Sequence, residues 1–300
     1  MSKEGKHHYI PVSYLKQWIG GDGRLCEFSK PYDRVKPRRI HPDGTGYVHG
    51  LNTILGLPPH EANYLKTNFM QLTDNYASRA LRILLAKTPW KFTDKERSGW
   101  SRFIVSLIAR NPESIERLKD AGHALFDKAL PDIEADDANR ELSTDPPTYA
   151  EYVAKNFPNP RGRAAATLIR RVIDDPQLGN WINQMRWMVL VNSYPKNLLL
   201  TSDRPVVMTN GIAHEDAQIL IPISPHHAFV ATNNVKTENY VRNVWHRRQM
   251  IEQVNERVTR QSHKYVYGFS DAQLAFVSAR LGMKYTADPV ENLKMDIHRI

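Results

Sequence analysis

The spacing of hydrophobic residues changes near residue 198, and this change most constrains the fold. Between residues 62 and 108 apolar residues recur every three or four positions, as one face of an amphipathic helix requires. The clearest helical face covers residues 62–84 and includes Leu72. After residue 198 the apolar residues occur in short runs bounded by turn residues, namely LLLT, PVVMT, QILIPIS and HAFVAT. These patterns predict an α+β fold, with a helix-rich body and a small, mainly antiparallel sheet.

A chain of 300 residues is long enough for one large domain or two smaller ones, and we interpret it as one domain over residues 1–300. Residues 1–57 contain short runs such as RLCEFS between the turn sequences GGDG and KPYD, which predicts strands and loops. Residues 58–194 are expected to form the helical body. Residues 195–300 are expected to form the sheet and the C-terminal helices.

One helix start in the body has a specific signal. Thr93 followed by Glu96 has the form of a capping box, in which each side chain accepts a hydrogen bond from the backbone of the other residue. This helix must end before Pro112, because proline disfavours helical geometry in the preceding residue. Further helices are expected over residues 149–157, 162–173, 178–191 and 237–260. The polar segment 131–147 is expected to break the helical pattern.

The charge of the chain bears on its partners. The 41 Lys and Arg exceed the 32 Asp and Glu and give a net charge of +9, which favours binding to nucleic acid. The basic residues form three clusters, which contain Arg34, Lys36, Arg38 and Arg39; Arg161, Arg163, Arg170 and Arg171; and Arg242, Arg247 and Arg248. The alternative is that each cluster is a solvated surface. Tyr240 and Trp245 beside the third cluster would stack on bases or belong to the core.

The cysteine content and the hydropathy bear on the compartment. Cys26 is the single cysteine, so the chain forms no intramolecular disulfide and no cysteine-rich zinc site. The first residues lack the apolar core of a signal peptide, and no stretch approaches the roughly eighteen consecutive apolar residues of a membrane span. We therefore expect no membrane partner and a cytoplasmic location. The sequence does not predict the oligomeric state.

The adjacent histidines His7 and His8, in KHHYIPVSYLKQW, are the first candidates for chemistry. Imidazole titrates near neutral pH and binds metals, so the pair suits acid–base catalysis or a divalent metal site. Neighbouring side chains of an extended segment point in opposite directions, so one would face a site while the other packs. A structural role for both is the alternative. No histidine has the spacing of a zinc motif, so the sequence identifies neither a metal nor another cofactor.

A second candidate is the segment LLLTSDRPVVMT, in which an apolar strand ends at Ser202 and Asp203. A carboxylate at such a strand end is held by the sheet and exposed by the turn, as catalytic carboxylates often are. The alternative is an ordinary turn in which Ser202 and Asp203 accept backbone hydrogen bonds. The aromatic N-terminal segment favours packing at a sheet edge, so we expect His7 or His8 to contact Ser202 or Asp203.

Two nuclease patterns can be compared with these residues. A restriction-type core needs an acid-x-lysine pair on the strand after the first acid, and the strands that follow Asp203 carry no lysine, so this pattern is excluded. Helical ribonucleases of the HEPN type use an arginine and a histidine one or two turns apart, and Arg117 and His123 have roughly this spacing. Gly122 disfavours a helix at this point, so the second pattern is kept as an alternative.

Several short motifs together resemble the domain-of-unknown-function 4238 family over nearly the whole chain. They are KHHYIPVSYLKQW, GRLCEFSK, RFIVSLIARNP, LLLTSDRPVV, LIPISPHHAFV and VNERVTRQSHKYVYG, in this order. The residues that match the family pattern are His7, His8, Tyr9, Pro11, Arg110, Pro112, Thr201, Ser202, Asp203, Pro205 and Asn255. One departure is Asp74, at a position where we expect a glutamate. The resemblance implies no reaction, because the family has no assigned activity.

We expect a hydrolase, with a nuclease as one form of it, that acts on an anionic substrate. His7 or His8 would serve as acid–base or metal ligand, and Arg110 would stabilise an anionic centre. Asp203 would supply a carboxylate, with Ser202 beside it in the site. The alternative is a non-catalytic module that binds nucleic acid or protein, in which these residues form a buried network. An open pocket favours the enzyme, and full burial with every donor paired favours the network.

Overall fold

The computed structural model describes residues 5–86, 90–138 and 158–283 and has the α+β fold that the sequence predicts. The helices are α1 (Val12–Leu15), α2 (Pro59–Ala62), α3 (Gln71–Leu85), α4 (Asp94–Ala109), α5 (Pro112–Ala138), α6 (Pro160–Ile173), α7 (Pro176–Gln184), α8 (Val235–Trp245), α9 (Arg248–Gln261) and α10 (Leu274–Ser278). The strands are β1 (Lys6–His8), β2 (Leu25–Ser29), β3 (Lys36–Ile40), β4 (Tyr47–His49), β5 (Arg186–Val191), β6 (Thr201–Ser202), β7 (Val207–Thr209), β8 (Gln218–Ser224), β9 (His227–Thr232) and β10 (Tyr265–Gly268).

The strands form antiparallel sheets. One four-stranded sheet has the order β5-β9-β8-β7, and a second has the order β3-β2-β10-β6. The short strands β1 and β4 pair with each other. The sheet predicted after residue 198 therefore also includes β5 from before this boundary. In the second sheet the N-terminal strand β2 pairs with the C-terminal strand β10, and β3 pairs with β2 at the edge.

The helix predicted over residues 178–191 is wrong in its second half. Helix α7 ends at Gln184, Met185 is extended, and Arg186–Val191 is strand β5. The run WMVLV is rich in large and β-branched residues, and it pairs with β9 with Val189 opposite Phe229. An apolar run of this length fits a buried helix or a strand equally well by periodicity, and here the pairing with β9 decides.

The apolar face predicted over residues 62–84 changes phase before α3. Residues Leu65–Met70 form a π-helical segment, which places more residues in each turn than an α-helix does. As a result Leu72 is 54% exposed, whereas Thr73 is buried and its hydroxyl donates to the Phe69 carbonyl oxygen.

Helix α4 lies in the centre of the core, and its residues from Gly99 to Ala109 are mostly buried. It begins with the predicted capping box, in which Thr93 and Glu96 bind each other's backbone N–H groups. Trp100 packs edge-on against Phe229 of β9 with ring centres 5.5 Å apart. The helix ends at Ala109, before Pro112 as predicted. Arg110 follows directly and is therefore placed at the edge of the core.

Helix α5 runs past two expected interruptions. It continues through Pro131 to Ala138, so the break predicted over residues 131–147 is wrong up to residue 138. It also continues through Gly122, where an added Cβ would lie 2.5 Å from the Ala165 Cα atom of α6. Glycine therefore allows α5 and α6 to approach closely. The helix predicted over residues 149–157 lies outside the described residues.

The helix predicted over residues 237–260 is two helices. Helix α8 ends at Trp245 and α9 begins at Arg248, with Arg247 in an extended conformation between them. The extended Arg247 separates the buried faces of the two helices, and a continuous helical period from sequence does not reveal it.

The N-terminal segment is held against the sheets by buried aromatic residues. The Tyr14 hydroxyl donates to the Pro222 carbonyl oxygen at 2.6 Å and accepts from the Thr201 hydroxyl at 2.7 Å. Trp18 Nε1 donates to the Leu199 carbonyl oxygen at 3.0 Å. The aromatic part of this segment therefore packs beside LLLT. Within the described ranges, no helix has both the length and the apolar character that a membrane crossing requires.

Candidate functional site

A cleft of about 220 Å³ opens where the start of α5 meets the turns that precede Pro205 and β10. Tyr9, Pro112 and Asp203 all line it, and each comes from a different motif of the sequence. Motifs far apart along the chain therefore meet at one surface. A concave site of this kind, with polar groups converging on it, is a candidate binding or catalytic site.

Asp203 is fixed by backbone hydrogen bonds. Its carboxylate accepts from the backbone N–H groups of His263, Lys264 and Tyr265 at 2.9, 2.6 and 2.9 Å. Its own N–H donates to the Tyr265 carbonyl oxygen at 3.0 Å. Burial raises the pKa of Asp203, and the three N–H donors and Arg204 oppose this change. The carboxylate thus joins the turn after β6 to the segment that leads into β10.

Ser202 forms a local turn. Its hydroxyl accepts from the Arg204 N–H at 3.1 Å, which is the hydrogen bond of a serine turn. The turn geometry that was the alternative to catalysis is therefore present. This turn places Arg204 in the lining of the cleft.

The Arg-Asn-Pro segment starts helix α5 at the cleft. Asn111 Oδ1 accepts from the Ser114 N–H at 2.8 Å, as an N-cap residue does, and Pro112 occupies the first helical position. Asn111, Pro112 and Glu113 form one wall of the cleft. The N-terminus of α5, whose positive partial charge favours anions, therefore lies at this wall.

Arg110 is buried behind this wall. Its side chain is 1% exposed, and Nη1 lies 2.7 Å from Oδ1 of the quarter-exposed Asp74. Burial raises the pKa of Asp74, and the Arg110 guanidinium opposes this change. Aspartate thus reaches Arg110 at the position where glutamate was expected. Arg110 Nε and Nη2 have no hydrogen-bond partner among the described residues.

The two histidines have different partners. His7 is buried, and its Nδ1 accepts from the Asn52 N–H at 3.0 Å. Burial, with a contribution from the charge of Lys66, lowers the pKa of His7 to about 4, although Asn63 acts in the opposite direction. The imidazole is therefore neutral, with its proton on Nε2.

His8 packs against a residue that lines the cleft. Its Nε2 lies 3.3 Å from the Asp43 carbonyl oxygen, and its ring is 5.4 Å from the ring of Tyr47, which lines the cleft. Burial lowers the pKa of His8, and its hydrogen bond to the Asp43 backbone opposes this change.

The expected contact of His7 or His8 with Ser202 or Asp203 is wrong. In the described structure the histidines bond to residues 52 and 43, and the next residue, Tyr9, lines the cleft with Asp203. The reason is that β1 pairs with β4 and not with the edge strand β6.

A charged cluster that the sequence does not reveal lies in the same cleft. His263 Nε2 is 2.9 Å from Glu113 Oε1, and Arg204 Nη2 is 3.2 Å from Glu113 Oε2. His263 is 56% exposed, so solvent reaches it. Lys264 also lines the cleft, with Nζ 5.1 Å from the centre of the Tyr265 ring. The sequence signals are the quoted motifs LLLTSDRPVV, which contains Arg204, and VNERVTRQSHKYVYG, which contains His263 and Lys264, and the position of Glu113 directly after Pro112.

The C-terminal motif residue Asn255 supports the site from the core. Its side chain accepts from the Leu200 N–H at 2.8 Å and donates to the Leu198 carbonyl oxygen at 2.9 Å. This amide pairs with the backbone of LLLT as a neighbouring strand would. It therefore anchors the segment that ends at Asp203 to helix α9.

The basic clusters are partly neutralised by ion pairs. The pairs in the three clusters are Arg38 with Glu27, Arg39 with Asp22, Arg161 with Asp127, Arg163 with Glu61, Arg242 with Glu238 and Arg248 with Glu252. Trp245 is buried and donates to the Val191 carbonyl oxygen, so it belongs to the core. Tyr240 is exposed.

Metal ligands were the other expectation for the histidines. Within residues 5–86, 90–138 and 158–283, the structure brings together no group of three or more His, Cys, Asp or Glu side chains that could hold a metal ion.

Comparison with known proteins supports the relationship that the motifs indicate. A family model described as protein of unknown function (DUF4238) matches residues 6–272. Searches of curated proteins and of solved structures gave no match. The matched region contains every motif residue from His7 to Asn255 and the whole of the cleft. The chain therefore belongs to the domain-of-unknown-function 4238 family.

Proposed function

We propose that this protein is a hydrolase that acts on an anionic substrate in the cleft at the start of α5. The observation that carries the proposal is the pair formed by His263 and Glu113, 2.9 Å apart, with Arg204 bound to the same carboxylate. A histidine oriented by a carboxylate, beside a cation, is a recurrent arrangement for proton transfer next to a bound anion.

His263 acts as the general base in this proposal. When neutral, it donates its Nε2 proton to Glu113, which leaves the Nδ1 lone pair available to a water molecule. Water transfers a proton to Nδ1 as its oxygen attacks the substrate, and the imidazolium that forms is stabilised by Glu113. The same proton is then available to the leaving group.

The substrate anion is bound by the positive groups of the cleft. Arg204 and Lys264 line it, and the positive end of α5 faces it. The negative charge of Asp203 is compensated by three N–H donors. The cleft, at about 220 Å³, is smaller than typical ligand sites, which measure roughly 300–1,000 Å³. The cleft thus accommodates the reacting group of a substrate that extends beyond it.

The motif residues act as positioning residues in this proposal. Asp203 holds the backbone of His263, and Ser202 directs Arg204. His7, His8 and Arg110 support the wall behind the cleft. The expectation that these five residues act on the substrate themselves stays a prediction, which variants at each position would test.

Nucleic acid is the proposed form of the anionic substrate, because the chain carries a net charge of +9. Its phosphodiester supplies the charge that Arg204 and Lys264 would bind. A cytoplasmic location is part of the proposal, because a chain with the single cysteine Cys26, which forms no intramolecular disulfide, suits a reducing compartment.

The experiment is a hydrolysis panel with purified protein. The panel contains p-nitrophenyl phosphate, bis-p-nitrophenyl phosphate, p-nitrophenyl acetate, and single- and double-stranded DNA and RNA, with metal analysis of the same preparation. We expect turnover of a phosphate ester and little of the neutral acetate. Arg204→Gln should raise KM for the phosphate ester, because it removes a cation from the cleft. Equal turnover of the charged and neutral esters would contradict the proposal.

The second candidate is a binding module without turnover. The observation that favours it is that both oxygens of the buried Asp203 carboxylate accept from backbone N–H groups, as in a structural network. In this case the cleft holds an anionic group of nucleic acid or protein. Binding of nucleic acid that Arg204→Gln weakens, with no hydrolysis of any member of the panel, would favour this candidate over the hydrolase.

A further inference from the structure

A second concave region lies on another part of the molecule, between residues 52–65 and helix α6. It consists of two adjoining cavities of about 330 and 150 Å³, which share Ile54, Leu65 and Ala166 as lining residues. We call this region the α6 groove. Its lining is mainly apolar, and it has no residue in common with the cleft at α5 among the described residues.

The two arginines that line the groove come from one face of α6, whereas Glu61 of α2 and Lys119 of α5 also contribute charges to its lining. Arg163 and Arg170 both line it and are seven residues apart, which places them on the same side of the helix about 10 Å apart. Ala166 lies between them and contributes to the apolar floor. The groove therefore has an apolar middle and a guanidinium group at each end.

The two arginines are not equivalent. Arg163 bonds to Glu61, which also lines the groove, and its Nε donates to the Pro158 carbonyl oxygen. Its charge is thus compensated within the protein. Arg170 is exposed at the opposite end, so its charge can be offered to a ligand.

We propose that the α6 groove binds a small amphipathic anion, namely a free carboxylate on a linear apolar chain. The carboxylate pairs with Arg170, and the chain lies over Ile54, Leu65 and Ala166. The larger cavity, about 330 Å³, falls at the lower end of the roughly 300–1,000 Å³ of small-molecule sites. This size suits a single chain.

The apolar and charged contacts contribute in different ways. Burying the chain removes apolar surface from water, which supplies most of the affinity. The guanidinium of Arg170 forms a charge-assisted pair with the carboxylate, which distinguishes the acid from a neutral molecule of the same length. Discrimination between an acid and its alcohol is therefore the characteristic property of this site.

The test is calorimetric titration of the full chain with decanoate and with decanol. We expect decanoate to bind about fivefold more tightly than decanol, and Arg170→Gln to remove this difference. Arg171→Gln is the matched control, since it makes the same charge change one residue along the helix, and it should leave decanoate affinity within about twofold.

A second variant tests the apolar floor. Ala166→Leu fills the groove between the two arginines and should abolish decanoate binding while the melting temperature stays unchanged. Absence of decanoate binding by the wild-type protein would overturn the proposal. An equal loss in the Arg170→Gln and Arg171→Gln variants would also overturn it, because the effect would then be one of net charge.

Discussion

His263 Nε2 lies 2.9 Å from Glu113 Oε1, although the two residues come from opposite halves of the chain. Each is held by a motif residue close to it. Pro112 begins the helix that carries Glu113, and the Asp203 carboxylate accepts the backbone N–H of His263. Pro112 and Asp203 therefore form part of the frame of the cleft in this chain, and Glu113 and His263 line it.

The role of Asp203 as a frame residue predicts a stability effect. Asp203→Ala removes the acceptor of three backbone N–H groups and should lower the free energy of unfolding by about 2–4 kcal/mol. Asp33→Ala, at an exposed position, is the control and should change it by less than about 0.5 kcal/mol. Urea denaturation measures both, and equal stability of the two variants would show that Asp203 does not hold the turn.

The buried His7 predicts a dependence of stability on pH. Its pKa is about 4 in the folded chain and 6.5 when unperturbed, so between these values the unfolded chain binds a proton that the folded chain does not. The stabilisation by neutral His7 is thus complete above pH 6.5 and is lost as the pH falls towards 4. It amounts to at most about 3 kcal/mol.

The variant His7→Asn isolates this effect, because asparagine can still accept the Asn52 N–H but does not titrate. Urea denaturation between pH 7 and pH 4 should show a steeper loss of stability for the wild-type protein than for the variant. Parallel curves would mean that His7 is protonated equally in both states.

The hydrogen bonds of Tyr14 predict that the N-terminal segment contributes directly to stability. Tyr14→Phe leaves the Pro222 carbonyl oxygen and the Thr201 hydroxyl without their shared partner inside the core. We expect a loss of about 1–2 kcal/mol in the free energy of unfolding. Tyr32→Phe is the control, since Tyr32 is 82% exposed. A melting temperature that falls equally in both variants would contradict this account.

Local signals predicted much of the fold. The capping box of Thr93 and Glu96, the stop before Pro112 and strands within PVVMT, QILIPIS and HAFVAT are present, whereas only the last residue of LLLT lies in a strand. The errors arise where tertiary pairing overrides a local pattern, as in β5. A π-helical segment also shifts the buried face from Leu72 to Thr73, and a fixed helical period cannot reveal this shift.

The site was predictable only in part. The motifs identified Tyr9, Pro112 and Asp203, which meet at the cleft. The pairing of Glu113 with His263 depends on how α5 and β10 are placed by the whole fold, and no spacing in the sequence encodes it. The wrong prediction for the partners of His7 and His8 has the same origin. Strand β1 pairs with β4 and not with β6, and this pairing depends on the tertiary fold.

The net charge of +9 predicts binding to DNA or RNA that depends on salt. Several arginines of the three clusters are already in ion pairs, so we expect modest affinity without sequence preference. Binding should be measurable at about 50 mM salt and should weaken steeply towards physiological salt through release of counterions. Fluorescence anisotropy measures this, and no binding to either polymer at about 50 mM salt with micromolar protein would mean that the charge serves solvation alone.

The most direct test of the central claim compares two histidine variants in hydrolysis of the best substrate of the panel. His263→Gln removes the proposed base, and His226→Gln makes the same change at another exposed position. The account predicts that His263→Gln lowers kcat by roughly 10²-fold or more with an unchanged melting temperature, as loss of a general base does, and that His226→Gln retains wild-type kcat. Equal kcat values for the two variants would contradict the assignment of the reaction to the cleft at α5.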